Sequence, residues 1–138
     1  MLKQVMEIID LLDDPKITGE KALQAFQGIK GITATSTTLQ GAEGSTDFVK
    51  IFIEGSNGKS TGGTAPTLGI IGRLGGIAAH PSRIGLVSDA DGAIGALASA
   101  LKLTDMYQKG NQLAGDIIVT THICPDAPTQ PHEPVDFM

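Results

Sequence analysis

Residues 83–88 read Arg-Ile-Gly-Leu-Val-Ser, residues 89–92 read Asp-Ala-Asp-Gly, and residues 116–121 read Asp-Ile-Ile-Val-Thr-Thr. The first and last of these are short apolar runs, which predicts two strands. Between them, residues 92–107 place Ile94, Leu97, Ala98 and Leu101 on one helical face, and Gly110-Asn111 ends the pattern. The Gly and Ala content of that helix allows close approach to a sheet. Strand, helix and strand make a β-α-β unit at 83–121. Such crossovers are right-handed in nearly all cases and leave their strands parallel. The predicted fold class is α/β, of three-layer type, with a mixed or mostly parallel sheet and helices on its faces.

Working outward, residues 2–12 place Leu2, Val5, Met6, Ile9 and Leu12 at helical spacing, and Pro15 follows. Thr18 is a candidate cap for a second helix running to Phe26, with Gly28 beyond it. Residues 32–39 and 47–54 read as strands with a glycine-bearing turn at 41–46. Residues 55–66 are a polar, glycine-rich loop. Residues 67–79 are apolar with several glycines and fit either a buried helix or a strand with a turn; the helix is the preferred expectation. Prolines at 125, 128, 131 and 134 give the tail a three-residue period suited to polyproline II. One α/β domain is expected over 1–124, with an extended tail over 125–138.

Composition narrows the function classes. The chain has 138 residues, 15 acidic against 10 basic, and a net charge of -5, which argues against a nucleic-acid partner. Hydrophobic residues make up 41 %, with no Trp, four Phe and one Tyr, so the core must be aliphatic. One cysteine, Cys124, excludes an internal disulfide. No apolar run is long enough to span a bilayer, and no signal peptide is evident, so no membrane partner and a cytoplasmic location are expected.

If the strands at 83–88 and 116–121 are parallel, their carboxyl ends share one rim, the usual ligand site of open α/β sheets. Asp89 and Asp91 follow the first strand; His122, Cys124 and Asp126 follow the second. Carboxylate, imidazole and thiolate are zinc ligands, so Asp89, Asp91, His122 and Cys124 are candidate metal ligands. Asp126 and Glu133 are candidate general bases. Each also has a structural reading: Asp91 as a helix cap, Asp89 as a turn acceptor, His122 and Cys124 as satisfied strand-end residues. The loop Asn57-Gly58-Lys59-Ser60 lacks the Walker A spacing, since only two residues separate Gly55 from Gly58. Its amides, with Lys59, remain candidates for holding a carboxylate or phosphate. His80-Pro81 falls at the opposite strand end and reads as structural.

Several stretches resemble one bacterial family known only as a domain of unknown function: LKQVMEIIDLLDDP at 2–15, GSTDFVKI at 44–51, NGKSTGGTAPTLGIIGRLGG at 57–76, RIGLVSDADGAIGALASALKL at 83–103 and GDIIVTTHICPDAPTQPHEP at 115–134. Members of that family are longer, so the resemblance implies the N-terminal part of such a member. The order of strand, acidic turn, Ala-rich helix, strand and polar cluster is also distantly similar to the core of the co-catalytic zinc exopeptidases. That similarity implies Asp91, or else Asp89, in the bridging position and residues 122–126 as the following cluster. The sequence departs from it at two places: His-Ile-Cys-Pro-Asp stands where a Glu pair is usual, and His80 is followed by Pro81-Ser82 where His-x-Asp is expected.

Two function classes follow. One is a metal-dependent hydrolase of amide or peptide-like small molecules, with zinc or another divalent metal as cofactor. The other is a non-catalytic protein that binds an amino acid or other small anion, or an assembly protein, and needs no cofactor. Expected partners are a small-molecule ligand and a further copy of the chain or a missing C-terminal portion.

Overall fold

The structure is a computed structural model that describes residues 1–42, 44–73, 77–79, 84–87, 90–126, 130, 133 and 134. It is an α/β domain built on a mixed four-stranded sheet. The strands are β1 (Ile32–Gln40), β2 (Ser45–Ile53), β3 (Leu68–Ile71) and β6 (Ile117–Ile123), in the order β1-β2-β6-β3. β1 and β2 form an antiparallel hairpin, β2 is antiparallel to β6, and β3 is parallel to β6. A separate antiparallel ribbon joins β4 (Ile77–Ala79) to β5 (Ile84–Leu86). The helices are α1 (Leu2–Leu12), α2 (Gly19–Ala22) and α3 (Asp91–Gln108).

Period-two burial fixes the sheet's inner face. In β6, Ile117, Val119, Thr121 and Ile123 are buried, while Ile118, Thr120 and His122 face the other way and are half-buried. Asp47, Val49, Ile51 and Ile53 lie opposite that buried set in β2. The helices cover this one face. Ile8 and Leu12 of α1, Ala22 of α2 and Ala93, Leu97 and Ala100 of α3 join Val49, Ile51 and Val119 in one cluster. The core is aliphatic apart from Phe26. Among the described residues no helix covers the other sheet face, where Phe48 is 48 % exposed and Ile71 82 %. The described residues therefore form two layers in place of the expected three.

The expected crossover needs correction at its first strand. The parallel neighbour of β6 is β3, and the 84–86 strand pairs with β4 outside the main sheet. The preferred helix over 67–79 is also replaced, by β3 and β4. Glycines raise the cost of a helix there, whereas Ile70 and Ile71 suit a strand. The unpaired edge of β6 supplies the partner: Leu68 N–H donates to Asp116 O at 2.8 Å and Gly72 N–H to Thr120 O at 2.8 Å.

Two helix details also differ. α1 buries the stripe Gln4, Ile8 and Leu12, whereas Leu2, Met6 and Ile9 are exposed at 74, 57 and 36 %. Apolar residues surround this helix more widely than one stripe, so periodicity alone did not choose the buried side. Thr18 caps α2 as expected, accepting from Lys21 N–H at 3.2 Å, but α2 lasts one turn and a 3-10 turn carries the chain to Phe26.

Candidate functional site

The carboxyl ends of β3 and β6 lie side by side, and the start of α3 closes on them. A side chain at Gly92 would overlap the carbonyl oxygen of Arg73, so the helix approaches the strand end backbone to backbone. Asp91 is the first residue of α3 and is exposed; Ala90 occupies the cap position and makes no side-chain cap bond. Asp91 is thus not the capping residue, although its charge complements the positive end of the helix.

His122 is half-buried on the open sheet face, with its ring 5.7 Å from that of Phe48 and tilted by 42°. Its pKa is lowered from 6.5, first by burial and then by the Arg73 guanidinium. Cys124 Sγ lies 3.4 Å from Thr46 Oγ1, and Asp126 Oδ2 accepts from Ser45 Oγ at 3.0 Å. Glu133 is exposed. Asp89, His80 and His132 lie outside the described residues. Among the described residues no three His, Cys, Asp or Glu side chains are grouped to hold a metal ion.

The glycine-rich loop has an internal anion. Asp116 is 2 % exposed and precedes β6. Its Oδ1 accepts from Gly55 N–H at 2.9 Å and Ser60 Oγ at 2.7 Å, and its Oδ2 accepts from Ser60 N–H at 2.9 Å. A side chain at Gly58 would overlap this carboxylate. The loop is further tied by Ser56 N–H to Leu113 O at 2.9 Å and Asn57 N–H to Ala114 O at 2.8 Å. Asn57, Lys59 and Ser60 have exposed side chains around a buried Gly58. The signal for this arrangement lay in the sequence: a lone carboxylate opens an apolar strand while a loop full of amides and hydroxyls needs an acceptor.

A cavity that the sequence reading missed opens on the helix-bearing side, past the end of β6. The inner face of β1 changes along the strand from Ile32 through Ala34 and Ser36 to Thr38, so apolar packing gives way to hydroxyls. The space over them, about 310 Å³, is lined by Thr18, Glu20, Ser36, Thr38, Ser45, Asp47 and Pro125. A second hollow of about 390 Å³ shares Glu20 and Ser36 and runs along α2 past Gln24 and Gln27. Asp47 is 7 % exposed. It accepts from Gly19 N–H at 2.7 Å and from Thr38 Oγ1 at 2.6 Å. A side chain at Gly19 would overlap Ser36 Oγ and press on Asp47, which explains glycine at that crossing.

The fold and its rim define an α/β domain with a polar cavity at one sheet end. A family model described as "Protein of unknown function (DUF1177)" matches residues 37–138, and the chain belongs to that family. No curated protein matches it. Among the described residues, no helix is long and apolar enough to cross a membrane.

Proposed function

We propose that this chain is a small-molecule-binding protein whose ligand occupies the cavity between α2 and the ends of β1 and β2. The observation that carries the reading is the cavity's wall. Four hydroxyls and two carboxylates converge where a strand's inner face would otherwise bury apolar side chains. Its size lies at the low end for small-molecule pockets, and a few convergent polar groups are what such pockets use for orientation. Its position past the carboxyl end of β6 fits the ligand-binding end of open α/β sheets.

The test is amide chemical-shift mapping on the whole chain with a mixed set of small polar fragments: amines, polyols and carboxylates. Saturable shifts at Thr18, Ser36, Thr38, Ser45 and Asp47 are expected. Shifts confined elsewhere, or none with any fragment, overturn the reading.

A second reading, a metal-dependent hydrolase of amide or peptide-like molecules, is favoured by the shared end of β3, β6 and α3. Its donor set would draw on Asp91, His122, Cys124 and Asp126, completed by residues outside those described, and Asp126 or Glu133 would serve as base. Elemental analysis of the purified chain tests it: a stoichiometric divalent metal that is lost in His122→Ala supports it, and no stoichiometric metal overturns it.

A further inference from the structure

We infer that α1 is a docking surface for a second copy of this chain, the two helices packing antiparallel through Leu2, Met6 and Ile9. α1 rests on its own domain through Gln4, Ile8 and Leu12, which are buried. At about 3.6 residues per turn, Leu2, Met6 and Ile9 fall on a different side of the helix. They recur at spacings of four and then three residues, the a/d rhythm of a coiled-coil seam. Each is open to solvent, at 74, 57 and 36 % respectively. Single exposed apolar side chains are ordinary on a protein surface, but a contiguous stripe of them marks an interaction surface.

The charges beside the seam select the occupant. Lys3 and Asp10 are both exposed, and their separation of seven residues puts them on the same flank of the seam. Lys3 stands near the amino end of the helix and Asp10 near the carboxyl end. When two copies are related by a two-fold axis across the seam, their helices run antiparallel and the same flank of each meets the other. Lys3 of each copy then comes over Asp10 of the other, and the two contacts are equivalent. The Leu2 end of one seam meets the Ile9 end of its partner, with Met6 near the axis. Parallel helices would instead set Lys3 on Lys3 and Asp10 on Asp10, which like-charge repulsion disfavours. The pattern is thus self-complementary, as a two-fold contact requires. Lys3 already reaches Glu7 at 3.5 Å within its own helix, but those side chains are 76 and 47 % exposed, and such a surface pair is weak enough to yield Lys3 to a partner. A helix of 11 residues presents a short seam, so the dimer is concentration-dependent and not obligate.

The test is sedimentation velocity of the whole chain at concentrations from about 1 μM to about 1 mM, the range over which weak specific pairs dissociate. A reversible monomer–dimer equilibrium is expected. Met6→Glu puts a charge in the seam and should abolish the dimer; Leu2→Glu serves if Met6→Glu fails to fold. Lys3→Glu and Asp10→Lys should each weaken association about tenfold, because each sets like charges together at both equivalent contacts. Combining the two exchanges the charges and should restore the parent affinity. Met6→Ala should weaken the dimer and leave the monomer's own packing in place, since that side chain is exposed in the monomer. A monomer at every concentration overturns the proposal. So does a dimer that survives both Met6→Glu and Leu2→Glu, since its interface lies elsewhere, and so does one that the combined exchange fails to restore, since its helices are not antiparallel. None of these results bears on the cavity reading, which fragment mapping tests separately.

Discussion

The Asp116 carboxylate takes two hydrogen bonds from Ser60, one from its hydroxyl at 2.7 Å and one from its amide at 2.9 Å. With the Gly55 amide, these bonds hold its pKa below the ordinary 3.8, the Ser60 hydroxyl being the largest cause. A carboxylate held below its unfolded value stabilises the fold above that value and loses the effect as pH falls through the folded one. Asp116→Asn is expected to lower the melting temperature at neutral pH and to flatten the acid limb below about pH 4. Urea denaturation at pH 7 and pH 3 checks this; an acid limb as steep as in the parent chain would show that another group is responsible.

His122 titrates in the opposite chemical sense but with the same sign of slope. Burial and then Arg73 disfavour its protonated form, so its folded pKa lies below 6.5. The unfolded chain then binds more protons just below pH 6.5. The contribution to stability is complete above that pH and is lost as pH falls toward the folded value. Arg73→Gln should raise the His122 pKa toward 6.5 without restoring it fully, because burial remains. Imidazole titration by NMR reads this directly, and an unmoved pKa would mean that Arg73 does not act on His122.

Gly92→Ala should destabilise by about 1–3 kcal/mol or more, the cost of forcing atoms into a filled space. The obstruction is the backbone of Arg73, which has no rotamer to change. Chemical denaturation measures it. A change within about 0.5 kcal/mol, the range of ordinary surface substitutions, would show that α3 does not meet the β3 end this closely.

The orientation of α1 is tested by a pair of truncations. Ile8 is 1 % exposed and Met6 57 %. Ile8→Ala should cost about 2–5 kcal/mol, as buried aliphatic truncations do, and Met6→Ala should stay within about 0.5 kcal/mol. The reverse order of costs would place the helix with its other stripe inward.

Much of the domain was legible from one-dimensional pattern. Alternating Val49, Ile51 and Ile53, the apolar run at 116–121, which the structure extends through His122 to Ile123, and the Ala-rich stretch of α3 each carry a local period. Strands and helices answer to that period, so these elements appear where the residues predict them. A Thr before a helical run likewise announces its own cap. Tertiary structure decided what local pattern does not encode. Leu68–Ile71 became a strand because β6 offered it an open row of hydrogen-bonding groups. That choice moved the parallel crossover from the 84–86 strand to β3. Asp116 and Asp47 belong to the same class: each is a single acid in the chain, and each gains its meaning from amides and hydroxyls brought to it from residues far away in sequence. Sequence specifies which groups are available. Only the folded chain decides which buried charge receives which donors, because that depends on distances between segments, not on spacing within one.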